Sequence, residues 1–165
     1  MKLSDAEIIA NRCKEILKPY CDRLEIGGSI RRKKPEVKDI ELIVIPHTYK
    51  LEEFLRFSLP EGWIIQKGKG KYKMIQLPWV QLDLFIQTPK TWAMNYWIRT
   101  GSADYIHQAM IRMRNQGYCS QGARLCKIFF HSDCPQEIDS VDDILEEADI
   151  YRELKWDFVE PEKRT

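Results

Sequence analysis

Apolar residues recur at helical spacing through the first twenty positions. Ile9, Cys13, Ile16, Leu17 and Tyr20 fall on one face, and Pro19 with the residues after it ends the pattern. Ser4 followed by Glu7 reads as the capping box that opens this helix. The period then shortens. Residues 22 to 27 and 40 to 45, the second carrying Ile40, Leu42, Ile43, Val44 and Ile45, are short, β-branched and bounded by glycine and proline, which predicts two strands flanking a turn. Leu51, Phe54 and Leu55 mark a short helix that stops before Pro60. Three β-like stretches follow, "WIIQKG", "KYKMIQL" and "VQLDLFI", separated by "KGKG" and "PW", and suit an antiparallel meander. Ser102 is placed to cap a helix running to about Gln116, with Tyr105, Ile106, Ala109, Met110 and Met113 inward and Gly117 as its stop. Residues 118 to 131 predict another hairpin, and Ser140 with Asp143 three residues on predicts a last capped helix. The pattern is that of an α+β chain without repeats or low-complexity linkers.

Composition narrows the picture. With 165 residues, 44% of them hydrophobic, the chain can bury one sizeable core, in one compact unit that has room for two lobes. A formal net charge of +1 means that any nucleic-acid partner must be held by local clusters rather than by the whole-molecule field. No apolar run approaches the roughly 20 residues that span a bilayer, and "MKLSDAEIIANRC" is charged rather than signal-like, so a soluble, intracellular protein is expected. The five cysteines fit reduced core thiols better than a disulfide framework, and the spacing of Cys119, Cys126, His131 and Cys134 fits no common zinc pattern.

The candidate chemistry lies in "GGSIRRKKPEVKDIELIVIP", residues 27 to 46. Asp39 and Glu41 stand two apart on a predicted strand, so they share a face about 7 Å apart along the chain. Such a pair repels itself unless a cation sits between, and a divalent metal holds both ionised. Asp83 adds a third acid inside another apolar strand, where an unpaired charge is costly. Three acids on two strands are a usual supply for two magnesium ions clamping a phosphoryl transfer. A solvated strand edge, with Asp83 paired to a lysine, is the alternative for these acids taken alone. The turn before them tips the reading: Gly27, Gly28 and Ser29 leave N–H groups open to an anion, and Arg31 or Arg32 can bind phosphate oxygens from the same loop.

In this order the residues resemble the nucleotidyltransferase superfamily, with its Gly-Ser turn, acid-x-acid strand and third strand acid. More narrowly, "GGSIRR" with "DIEL", "IQLPWVQLDLF", "PKTWAMNYWIRTGSADYIHQAMIRMRNQGY" and the closing Glu160-Pro161 with Arg164 resemble a minimal family-X DNA polymerase. The resemblance covers residues 20 to 165. It implies a palm with a mixed or antiparallel sheet flanked by helices over residues 1 to 97, and a small C-terminal α+β nucleotide-binding lobe over 98 to 165. It implies template-directed addition of nucleotides to a DNA 3′-end, in short gaps, by two-metal transfer. Magnesium is the implied cofactor, with manganese as substitute, and the implied partners are gapped or primed DNA and a deoxynucleoside triphosphate. A monomer with only these two lobes, as in the smallest viral members, and without a lyase domain, is expected.

By the resemblance, Asp39, Glu41 and Asp83 ligate metal, with Asp83 nearest the primer 3′-hydroxyl. Gly28, Ser29 and Arg32 serve the triphosphate, and Gly101 and Ser102 serve the incoming nucleotide. Glu41 stands where the family usually has a second Asp, Lys38 replaces a frequent Gly, Ile98 and Arg99 replace an aromatic pair, and Met110 stands where several members place a template-contacting arginine. Lys67, Lys69, Lys71 and Lys73 are candidates for contact with DNA phosphates. Exposed helix arginines such as Arg112 and Arg114 are more often simply solvated, and Trp92, Tyr96 and Trp97 read as packing. Two rivals remain: a transferase working without template or on another acceptor, and a DNA-binding module whose chemistry has decayed.

Overall fold

The computed structural model describes residues 1–129 and 137–165. It divides into two compact units, Met1–Thr88 and Pro89–Thr165.

The first unit opens with helix α1 (Leu3–Leu17). Its start is not the expected capping box. Lys2 occupies the cap position, and Ser4 lies inside the first turn with its hydroxyl on Asp5. Tertiary contacts replace the cap: Leu3 N–H donates to Pro35 O, and the N-terminal ammonium and the Val37 N–H tie Met1 to Val37. Strand β1 (Cys21–Ile26), a single helical turn α2 (Gly28–Arg31) and strand β2 (Asp39–Pro46) follow, then helix α3 (Lys50–Phe57). The meander forms as expected, as β3 (Ile64–Lys67), β4 (Tyr72–Gln76) and β5 (Gln81–Ile86). The sheet order is β1-β2-β5-β4-β3, with β2 and β5 parallel and every other pair antiparallel. Docking the last meander strand against β2 makes the sheet mixed.

Alternation along these strands decides what is buried. Ile40, Leu42 and Val44 of β2 and Leu82 and Leu84 of β5 join Ala6, Ala10, Cys13 and Leu17 of α1 and Leu51, Phe54 and Leu55 of α3 in one core. The intervening residues Asp39, Glu41, Gln81 and Asp83 face the opposite way and are only half-buried.

The second unit begins with helix α4 (Pro89–Thr100), which the periodicity did not predict. Thr91, Trp92, Ala93, Met94, Trp97 and Thr100 are all buried, so its apolar face is too broad to read as a stripe. Pro89 at the first helical position is the signal that was there to be used. Helix α5 (Ala103–Asn115) starts at the expected cap: Tyr105 N–H donates to Ser102 Oγ at 3.1 Å. Strands β6 (Tyr118–Gln121) and β7 (Arg124–Phe129) form the expected hairpin, whose far end at residue 131 lies outside the described residues, and β8 (Glu137–Ser140) completes a three-stranded antiparallel sheet.

Ser140 therefore ends a strand instead of capping a helix. It pairs with Cys126 in the ladder, and Asp143 sits at φ 62°, which a helix interior does not accommodate. The last helix, α6 (Glu147–Leu154), starts later and is capped by Glu146 with Asp149 returning the bond. Met94, Trp97, Met113, Leu125, Ile150, Tyr151 and Leu154 make the second core.

Candidate active site

The acids are brought together by strand register. Parallel pairing sets Asp39 beside Gln81 and Glu41 directly beside Asp83, so all three predicted carboxylates share one face of two adjacent strands. Burial, and then the charge of Asp83, push the Asp39 carboxyl up from its ordinary value, while its own backbone N–H, Lys38 and Arg32 pull the other way. Asp39 and Asp83 thus feel each other across the strand pair.

Asp83 is held by neighbours that sequence reasoning had not singled out. Its Oδ1 accepts from Tyr72 Oη and from Gln81 Nε2, each at 2.8 Å. Tyr72 stands on β4 opposite Phe85, one diagonal step from Asp83, and stacks on the Phe85 ring at 5.3 Å. Its only sequence signal was an aromatic inside "KYKMIQL".

Gly28 has a role different from bare backbone access. A Cβ there would lie 1.8 Å from Glu41 Oε2, and φ is +60°, so the glycine makes room for the Glu41 carboxylate and adopts a conformation that side chains disfavour. Gly27 N–H donates to the Glu41 carbonyl at 2.9 Å, fastening the turn to the acid-bearing strand. Burial lowers the proton affinity of Arg32, opposed by the charges of Glu41 and Asp39, which places its guanidinium within electrostatic reach of both acids. Ser29 Oγ is buried and has no hydrogen-bond partner among the described residues.

These features fit a metal and an anion in chemical type. Carboxylate oxygens are the donors magnesium prefers, the half-buried Asp39 and Asp83 carry repulsion that a divalent cation relieves, and an orphaned hydroxyl awaits an acceptor or donor. Among the described residues no group of three His, Cys, Asp or Glu side chains already converges closely enough to hold an ion, with Glu41 seated over Gly28.

Gly101 and Ser102 belong to the second unit. A Cβ at Gly101, between α4 and α5, would come within 2.6 Å of Ile106 Cδ1, so that glycine makes room for a side chain of α5, and the Ser102 hydroxyl is engaged in capping α5. Lys67, Lys69 and Lys71 are exposed on the β3–β4 hairpin. Lys73 pairs with Leu84 and lines a cavity of about 420 Å³ with Leu51, Leu55, Arg56, Ile65 and Ile86, on the face turned away from the acids. Arg112 lies over the Trp156 ring at 4.5 Å, and Trp97 Nε1 donates to Tyr151 Oη at 3.0 Å, so both are packing residues. Cys119 and Cys126 face each other across β6 and β7 as free thiols, whereas His131 and Cys134 lie outside the described residues.

No protein-family model matches the chain, and no curated protein matches its sequence. Solved structures do match. Polymerase beta of Leishmania infantum, determined as a ternary P/T complex, superposes with a TM-score of 0.76 over 100% of this chain and 76% of its own, at 18% identity. The chain has a fold similar to that of polymerase beta. At 18% identity the likeness concerns the fold, and the chemistry has to be argued from the side chains.

No helix among the described residues is long and apolar enough to cross a membrane.

Proposed function

We propose that this protein is a nucleotidyltransferase that adds deoxynucleotides to a DNA 3′-end under the direction of a template, in short gaps, with magnesium as cofactor. One observation carries the reading: the register of β2 and β5 puts Asp39, Glu41 and Asp83 on one face of a polymerase-beta-like sheet. Asp39, Glu41 and Asp83 would hold the ions, whose charge, when bound, neutralises the entering and leaving oxygens of an in-line displacement at phosphorus. Tyr72 and Gln81 fix Asp83 through Oδ1, and Oδ2 would be the atom offered to an ion. Ser29 and Arg32 serve the departing phosphates: a buried hydroxyl ready to donate, and a guanidinium already close to the acids. Glu41 is one methylene longer than the aspartate expected of such a site, and Gly28 accommodates the extra length.

The test is extension of a labelled primer in a one-nucleotide-gapped duplex with Mg²⁺, offering each deoxynucleotide and ribonucleotide in turn. Template-matched addition by the wild type, abolished in a folded Asp83→Asn variant, is the expected result. Addition indifferent to the template base would favour a template-independent transferase. Binding to gapped DNA without any turnover under Mg²⁺ or Mn²⁺ would reduce the protein to a DNA-binding module.

A further inference from the structure

We propose that Trp79 is a stacking platform for an unpaired base of the nucleic-acid substrate, beside the carboxylates; the inference rests on the reading of that face as a nucleotidyl-transfer site. Trp79 is 83% exposed, the most exposed large hydrophobic residue described in the chain, while its neighbour Val80 is 5% exposed and belongs to the core. Trp79 sits in the turn that opens β5, two residues ahead of Gln81, which pairs with Asp39. Four residues of chain separate Trp79 from Asp83, a reach of at most about 14 Å.

The indole is presented on a rigid mount. Leu77 N–H donates to Val80 O at 2.9 Å, closing the β4–β5 turn around Pro78 and Trp79. The Gln76 side-chain amide donates to Leu77 O at 2.7 Å and braces the same turn. Pro78 packs over Gly62, where a Cβ would lie 3.2 Å from Pro78 Cγ. A tight hairpin turn favours Asn, Asp or Gly. A tryptophan answers no need of the turn, and with Val80 already filling the core it answers no need of packing either. An aromatic held this firmly in water, at the edge of a candidate site, has the character of a contact residue.

The surroundings select the partner. Asp39 pairs with Gln81, so the exposed Lys38 just before it stands at the same end of the sheet as the turn, and the charge of Arg32 reaches Asp39 and Glu41. An aromatic face flanked by cations is the arrangement that binds single-stranded nucleic acid, the ring stacking a base while the cations meet phosphates. A base inside a duplex has both faces covered, so the occupant is an unpaired one, such as the template base next to the primer end.

The experiment measures binding without nucleotide, by fluorescence anisotropy of a labelled primer–template with a short template overhang, for wild type, Trp79→Ala, Trp79→Phe and Asp83→Asn. Trp79→Ala should weaken binding about tenfold, while Trp79→Phe stays near wild type. Replacing overhang nucleotides one at a time by abasic residues should weaken wild type at one position and leave Trp79→Ala unaffected there. Equal affinity of wild type and Trp79→Ala overturns the inference, as does an abasic penalty that is the same in both, or loss of self-association in Trp79→Ala as the sole effect. Primer extension by a wild type whose Trp79→Ala variant binds normally would sink the inference and spare the transferase reading. A Trp79-dependent overhang contact in a protein that never extends a primer would do the reverse.

Discussion

Arg164, next to last in the chain, is wholly buried, and its removal should strongly destabilise the protein. Its guanidinium meets Glu147 through Nη1–Oε1 at 2.5 Å and Nη2–Oε2 at 3.1 Å, and Nε donates to Val159 O at 2.8 Å. The rings of Tyr151 and Phe158 lie 5.5 and 5.3 Å from its centre. Its carbonyl accepts from Ser102 N–H at 2.9 Å, so the same residue anchors the start of α5. Arg164 is 0% and Glu147 6% exposed, so solvent cannot compensate whichever charge is left behind. Breaking a buried pair from one side costs about 3–5 kcal/mol. At this chain length, each kcal/mol lowers Tm by roughly 2–4 °C, so Glu147→Gln or Arg164→Met should lower it by about 10 °C. The double variant Glu147→Leu with Arg164→Met leaves no orphaned charge and should recover most of the loss, because desolvation of the pair offsets most of its attraction. Thermal and urea denaturation, followed through tryptophan fluorescence, measures all three. Single variants within about 1 kcal/mol of wild type, or a double variant as unstable as the sum of the singles, would refute the argument.

Asp39 supplies a prediction whose sign follows from its raised proton affinity. Because the folded carboxyl titrates above its ordinary value of 3.8, ionising it destabilises the fold; the penalty is absent at low pH, enters as pH rises past the unfolded value and is complete above the folded one. Asp39→Asn should therefore melt above wild type at neutral pH without divalent cations, with the gap closing in acid. Magnesium at about 100 times its Kd adds about 2.7 kcal/mol, so wild type should gain roughly 5–10 °C and Asp39→Asn little. Identical melting at both pH values, or equal magnesium shifts, would contradict this. Ser29→Ala removes a buried hydroxyl that has no partner, so Tm should hold or rise slightly, while kcat/KM for nucleotide should fall roughly ten- to a hundredfold from the lost bond to a charged group. Unchanged kcat/KM would free Ser29 of any part in phosphate binding.

How much of this was legible beforehand depends on the range of the interactions involved. The strands around the Gly-Gly-Ser turn, the meander and the Ser102 cap could be read because each depends on residues a few positions apart: alternation, turn chemistry and a hydroxyl three residues from the N–H it accepts. Where a local signal met a stronger distant partner, it lost. Ser4 and Glu7 matched a capping box, yet Pro35 and Val37 hold that terminus instead. Ser140 matched a helix cap, yet backbone pairing with Cys126 claimed it for a strand. Helix α4 escaped notice because burial on many sides erases the period that reveals a helix.

The carboxylates divide in the same way. Asp39 and Glu41 share a face by strand geometry alone, so their pairing belonged to the sequence. That Asp83 lies beside Glu41, and not a strand away, follows only from the parallel docking of β5 on β2, a contact between distant segments whose register is set by which side chains fill the core. Tyr72 reaching Asp83, Glu41 resting over Gly28 and Arg164 buried on Glu147 are likewise matters of tertiary structure. Local rules determined which residue types were available for chemistry, and long-range packing, which no spacing encodes, decided which of them meet.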